Sequence, residues 1–228
     1  AMPEIHIGLY PDVAGTWFLH RMPGFSGLFL ALTGAIINAG DALLGKWADA
    51  VITHTNYSGV LNAIEKNPHW QGKPDADKAH LTGLLNPFQE QATTPLLVQH
   101  AGIIEQAMNH NTLAEIDIAL RALQTHTDEW LAKAAHSYVQ GSPTSAVLSY
   151  ELMKRHQNAS LAEVFRLEYQ AAVGCCANHD FPEGVRALLI DKDKSPQWQA
   201  KHVNEVSQHL IDDILKPRFT GEHPLDDL

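Results

Sequence analysis

Hydrophobic positions change period along this chain, and the change marks two kinds of segment. Ile5, Ile7 and Leu9 share one face at period two, with His6 and Gly8 on the other, which predicts a short strand. Pro11-Asp12 and Ala14-Gly15 then supply turn chemistry. The apolar run from Phe25 to Leu32 is compatible with a helix that ends at Gly34. Asn38 is placed to cap a second short helix through Asp41, Ala42 and Leu44, and Ala50, Val51 and Ile52 predict another short strand. Residues 66–95 hold Pro68, Gly72, Pro74, Gly83, Pro87 and Pro95, and predict a loop-rich insertion with short helices.

Beyond that stretch the helical period takes over. Thr112-x-x-Glu115 and Ser160-x-x-Glu163 are capping boxes ahead of periodic runs. Leu113, Ile116, Leu120 and Leu123 share one helical face, as do Leu161, Val164, Phe165 and Tyr169. Ser142-Pro143 sets a capping residue before a first-turn proline. Asp180 is placed to accept first-turn amides. Val203, Val206, Leu210 and Ile214 predict a last amphipathic helix, and residues 216–228 a tail. The fold class expected is mainly α with a few short strands.

Composition narrows the class. The 228 residues are 45% hydrophobic and 18% charged, which is ordinary for a globular chain. The formal net charge of -10 gives no electrostatic support for nucleic acid as a partner. The apolar stretches are too short and interrupted to span a bilayer, so no membrane partner is expected. Cys175 and Cys176 are adjacent and are the only cysteines, so no disulfide framework forms and an intracellular compartment is expected, cytoplasmic in a bacterium.

Glu4 and Asp12 are the candidate catalytic residues. One opens the first strand and the other sits at the turn beyond it. A tight return can bring both carboxylates to one pocket, where two nearby acids in a water-poor site are driven to different pKa values. By spacing alone the pair has little specificity, because acids are usually solvated.

The surrounding residues carry more. Ala1-Met2-Pro3-Glu4-Ile5-His6-Ile7-Gly8-Leu9-Tyr10-Pro11-Asp12-Val13-Ala14-Gly15 resembles the Met-Pro-Glu…Gly-Leu-Phe-Pro-Asp-Val-Gly-Gly segment of the 3-hydroxyisobutyryl-CoA hydrolase branch of the crotonase family. Tyr10 stands where Phe is usual and Ala14 where Gly is usual. Leu30-Ala31-Leu32-Thr33-Gly34, Asp41-Ala42, Ala48-Asp49, Ser142-Pro143-Thr144-Ser145 and His179-Asp180-Phe181-Pro182-Glu183-Gly184-Val185-Arg186-Ala187 continue the resemblance in the family's order, through Asp193. Enoyl-CoA hydratases, the neighbouring branch, usually carry Gly at the position of Asp12.

The resemblance implies the C-terminal part of a crotonase ββα-spiral fold plus a C-terminal helical region. Residues 1–56 would be the end of the spiral core, 57–215 the helical region with the insertion near 66–95, and 216–228 the tail. It implies hydrolysis of the thioester of 3-hydroxyisobutyryl-CoA or a close short-chain acyl-CoA, in valine breakdown. Glu4 would attack or activate a water, and Asp12 would orient substrate or water and share the proton. CoA enters as part of the substrate, with no separate cofactor. Both oxyanion-hole amides of the family come from segments before Pro3-Glu4, so the resemblance also implies a missing N-terminal core and a chain that is inactive, or nearly so, by itself. A homo-oligomer is a further implied partner.

Rival chemistries find less support. The 14 histidines include no pair at metal-binding helical spacing, and no metal site is expected. Gly24-Phe25-Ser26-Gly27 is not a nucleophile elbow. Cys175 and Cys176 cannot both point into one site from a helix, and core packing is the simpler role. An enoyl-CoA hydratase or isomerase is the alternative enzyme, and a non-catalytic scaffold the alternative from another class.

Overall fold

The computed structural model describes residues 1–228 and is almost entirely helical. The first element is a 3-10 turn over Glu4–Ile7. It is followed by α1 (Gly15–His20) and α2 (Ser26–Thr33). Ser26, Gly27 and Phe29–Thr33 of α2 are buried. Gly34 ends α2 as expected: its φ of 60° is left-handed, and its amide closes on the Leu30 carbonyl.

Residues 37–99 form one of two compact units. They contain α3 (Ala39–Leu44), α4 (Tyr57–Glu65), α5 (Pro74–Leu85) and α6 (Leu96–Gln99). Asn38 caps α3 through a reciprocal box with Asp41, as its position predicts, and the Asp41 carboxylate also accepts the Leu97 amide at 2.9 Å. Val60 and Leu97 are the apolar side chains of this unit that are buried. The strand expected at 50–52 is reduced to a single antiparallel bridge between Ile52 and Gln89. Pro74 opens α5 at a first-turn position, so the expected loop-rich insertion is organised around a three-turn helix.

The other unit is discontinuous, joining residues 1–36 to 100–228. Its second part holds α7 (Ala101–Met108), α8 (Leu113–Ala122), α9 (Glu129–Gln140), α10 (Pro143–Arg155), α11 (Leu161–Cys176), α12 (Asp180–Val185) and α13 (Gln208–Leu215). The breaks between units fall at 36/37 and 99/100. No helix of the chain is long and apolar enough to cross a membrane.

Thr112, Ser142 and Ser160 cap α8, α10 and α11 as the sequence predicts. Other expectations are corrected. The alternating segment at 5–9 is not a strand: a β-strand needs a ladder partner, and here the backbone closes on itself through His6 N–H to Pro3 and Leu9 N–H to Glu4. The last helix does not begin at Val203. Residues 203–205 make a separate 3-10 turn, and Ser207 caps α13.

The buried stripe of α11 runs through Val164, Glu168, Ala171 and Cys175. Leu161 and Tyr169, expected on the core face, are 40% and 36% exposed. Small side chains on the true face let α13 approach: a Cβ on Gly174 would lie 1.9 Å from the Ile214 carbonyl oxygen. Ala171 and Cys175 of this stripe join Leu148 and Leu152 of α10 and Ile211, Ile214 and Leu215 of α13 in one apolar cluster, which also receives the Tyr10 ring. Burial of such groups gains about 25 cal/mol per Å² of apolar surface, so the turn that carries Tyr10 is tied to the helical core by its largest side chain.

Candidate active site

Two short backbone features carry the two candidate acids, and both belong to the discontinuous unit. Glu4 opens the 3-10 turn. That turn ends at Gly8, whose φ of 72° is left-handed. A side chain there is also excluded by space, because a Cβ would stand 2.3 Å from the Asp180 carbonyl oxygen. Gly184 meets the same turn from α12, where a Cβ would lie 2.4 Å from the Ile7 carbonyl carbon. Two backbones thus touch without side chains between them. The Ser142 amide donates to the Ile5 carbonyl at 3.0 Å. The His6 ring pairs with the Ser137 hydroxyl at 2.9 Å, and that hydroxyl donates to the Thr33 carbonyl.

α12 is itself fixed from behind. Asp180 does not cap its own helix, as its position had suggested. It is the first helical residue, and its carboxylate accepts the Ser142 hydroxyl at 2.6 Å and the Gln199 amide at 2.8 Å. The same Ser142 hydroxyl oxygen accepts the Ser145 amide of α10.

Asp12 stands in a tight turn closed by Gly15 N–H to the Asp12 carbonyl at 2.7 Å. The two residues after it, Val13 and Ala14, both have left-handed φ values, 50° and 61°. Such conformations cost an L-residue roughly 1–2 kcal/mol each, and a β-branched residue more than most. The turn is held by Glu168. Its carboxylate accepts the Ala14 amide at 2.8 Å and the Thr16 hydroxyl at 3.3 Å, and its backbone carbonyl accepts the Tyr10 hydroxyl at 2.6 Å. The Thr16 oxygen is also 2.6 Å from His156 Nδ1. Thr16, His156 and Glu168 are all buried.

The electrostatics follow from burial. The Glu4 carboxyl is raised above its ordinary value, mainly by desolvation, against the pull of its own backbone hydrogen bond. Asp12 is near enough for its charge to raise Glu4 further. Glu4 Oε2 is buried and has no hydrogen-bond partner. Glu168 is pushed up to about 7, again mainly by burial, with Asp12 adding to the rise. His156 is pushed down to about 4 by burial and by Arg155, so its ring is neutral near pH 7. No three His, Cys, Asp or Glu side chains are grouped to hold a metal ion.

Glu4 and Asp12 thus lie near enough for the charge of one to act on the other. Sequence reasoning missed Glu168, Thr16 and His156. A signal for Glu168 did exist: it is an acid at helical spacing between Val164 and Ala171, Cys175, on the stripe that proves to be buried.

The enoyl-CoA hydratase/isomerase family profile matches residues 1–215, and this chain belongs to that family, the crotonases. The particular relatives are narrower in kind. The chain is 35% identical over 222 residues to the protein named "3-hydroxyisobutyryl-CoA hydrolase, mitochondrial" of Gallus gallus, covering 95% of this chain and 55% of that protein. It is 36% identical over 217 residues to the protein of the same name from Danio rerio, covering 93% and 54%. The chain thus spans about half the length of the curated relatives it matches. Among solved structures, a carnitinyl-CoA dehydratase from Mycobacterium thermoresistibile superposes with a TM-score of 0.82 at 28% identity, covering 99% of this chain and 61% of that one. An enoyl-CoA hydratase from Rhodobacter sphaeroides 2.4.1 superposes with a TM-score of 0.74 at 30% identity, covering 96% and 59%.

Proposed function

We propose that this protein hydrolyses the thioester of 3-hydroxyisobutyryl-CoA, or of a close short-chain acyl-CoA, with Glu4 and Asp12 as the acting pair, and that it serves valine breakdown. The observation that supports this most directly is the unpartnered, buried Oε2 of Glu4, with Asp12 close by. A carboxylate oxygen with no protein partner is free for a water or a carbonyl carbon. A raised carboxyl is also a stronger base once ionised.

In this reading Glu4 takes a proton from water while the water oxygen bonds to the thioester carbon, or Glu4 attacks that carbon itself and a water afterwards hydrolyses the resulting anhydride, freeing the acid and the Glu4 carboxylate. The C–S bond then breaks and the CoA thiolate leaves. Asp12 orients the water or substrate and shares the proton that the thiolate takes up. The 3-hydroxyisobutyryl-CoA hydrolase relatives support the hydrolytic branch, and so does Asp12, which stands where hydratases usually carry Gly.

The test is release of CoA thiol from 3-hydroxyisobutyryl-CoA by the protein at its natural length. Glu4→Gln and Asp12→Asn should each lower kcat on the order of 10²–10⁴-fold. The names of the two superposed structures favour a second reading, hydration of an enoyl-CoA by the same acids. Hydration that survives Asp12→Asn, with no thiol release by the unaltered protein, would select it.

A further inference from the structure

Asp12 is clamped from both sides by one residue. Tyr10, before it, donates its hydroxyl to the Glu168 carbonyl, and Ala14, after it, donates its amide to the Glu168 carboxylate. Thr16 adds its hydroxyl to the second carboxylate oxygen. Between these anchors lie Val13 and Ala14, neither of them glycine and both left-handed. Backbone of that kind persists only where its surroundings over-determine it. The side chain that over-determines it here is a 4% exposed carboxylate, costly to bury and therefore informative.

We propose that Glu168 is the positioning residue of the acidic site: by holding the Ala14 amide it fixes the Val13-Ala14 return, and so sets Asp12 against Glu4. The inference rests on the reading of Glu4 and Asp12 as the acting pair. Glu168 does not touch the reacting atoms. It acts through the turn, its carboxyl oxygen accepting a backbone N–H that the return would otherwise leave buried and unpaired.

The protonation of Glu168 sets the sense of the chain behind it. Ionised, it accepts from Thr16, whose oxygen then accepts the His156 Nδ1 proton. Protonated, one carboxyl oxygen becomes a donor, and it can donate to Thr16 while Thr16 donates to His156. The titratable groups around it are Tyr10, Asp12 and His156, with Cys175 beyond Tyr10.

The experiment is amide hydrogen exchange and carboxyl titration by NMR on the full chain, comparing the unaltered protein with Glu168→Ala and Glu168→Gln. Glu168→Ala is expected to speed exchange at Ala14 by about 10–100-fold and to shift the titration of Glu4. Glu168→Gln keeps an oxygen acceptor, so exchange at Ala14 stays slow, but the pH dependence of the Ala14 amide shift near neutrality disappears. Unchanged Ala14 exchange and unchanged Glu4 titration in Glu168→Ala would overturn the proposal. If Glu168→Ala does not fold, an Ala14 amide shift that titrates identically in the unaltered protein and in Glu168→Gln overturns it equally.

Thiol release at natural length adds a second arm: Glu168→Ala should lower kcat about 10–100-fold with KM little changed, and Gln should recover most of it. Should the unaltered protein release no thiol, the hydrolase reading fails by itself, and the NMR arm still decides whether Glu168 positions Asp12.

Discussion

The hydroxyl of Ser142 donates to the carboxylate of Asp180 at 2.6 Å, and its oxygen also accepts the Ser145 amide at 3.0 Å. One side chain therefore caps α10 and fastens the start of α12, the helix against which the Glu4 turn rests. Ser142→Ala removes a cap and a charge-assisted bond together. It should destabilise the fold by about 2–4 kcal/mol in denaturant unfolding, with Ser142→Thr recovering most of the loss. A change below about 1 kcal/mol would mean that Gln199 alone satisfies Asp180.

Gly8 tests how tightly the Glu4 turn is held. A methyl group there meets the Asp180 carbonyl at 2.3 Å while the backbone keeps a φ of 72°. The left-handed conformation alone costs roughly 1–2 kcal/mol, and α12 must also move. Gly8→Ala should lower the unfolding midpoint clearly, whereas alanine at Gly102, where a Cβ meets nothing within 4 Å, should not.

Two buried groups give stability opposite pH dependences. Glu168 is raised from 4.5 to about 7, so the fold favours its protonated form. That contribution is whole below about 4.5 and is lost as pH rises through about 7. His156 is depressed from 6.5 to about 4, so the fold favours its neutral form. Its contribution is whole above about 6.5 and is lost as pH falls through about 4. Unfolding free energies of the unaltered protein minus those of Glu168→Gln should fall between pH 5 and pH 8. A flat difference would mean that Glu168 does not titrate in that window.

Arg186 gathers the carboxylates of Glu183, Asp191 and Asp193, each within 2.8 Å. The bend it braces carries Lys192 and Lys194, both with left-handed φ. Exposed pairs add little to global stability, so the expected effect of Arg186→Gln is local. Limited trypsin digestion should cut after Lys192 or Lys194 several-fold faster in the variant, with the global unfolding midpoint nearly unchanged. Equal cutting rates would show that the pairs do not brace the bend.

The sequence by itself determined the helical class, the caps and the identity of the candidate acids. Thr112, Ser142 and Ser160 are read correctly because a cap depends on neighbours three residues away, which the chain supplies locally. Glu4 and Asp12 stood out through the long block of residues around them. Tertiary structure decided the rest. Ile5, Ile7 and Leu9 have a strand's alternation, but alternation makes a strand only when a ladder partner is present, and the turn closes on Glu4 and Pro3 instead. Helical spacing groups Leu161, Val164, Phe165 and Tyr169 on one face of α11, yet of these Val164 is buried while Leu161 and Tyr169 are exposed. The face that is buried runs through Glu168, Ala171 and Cys175, because α13 and Tyr10 need close approach. Only that packing places a carboxylate from α11 beneath the Asp12 turn, and no local pattern encodes a contact between residues so far apart in the chain.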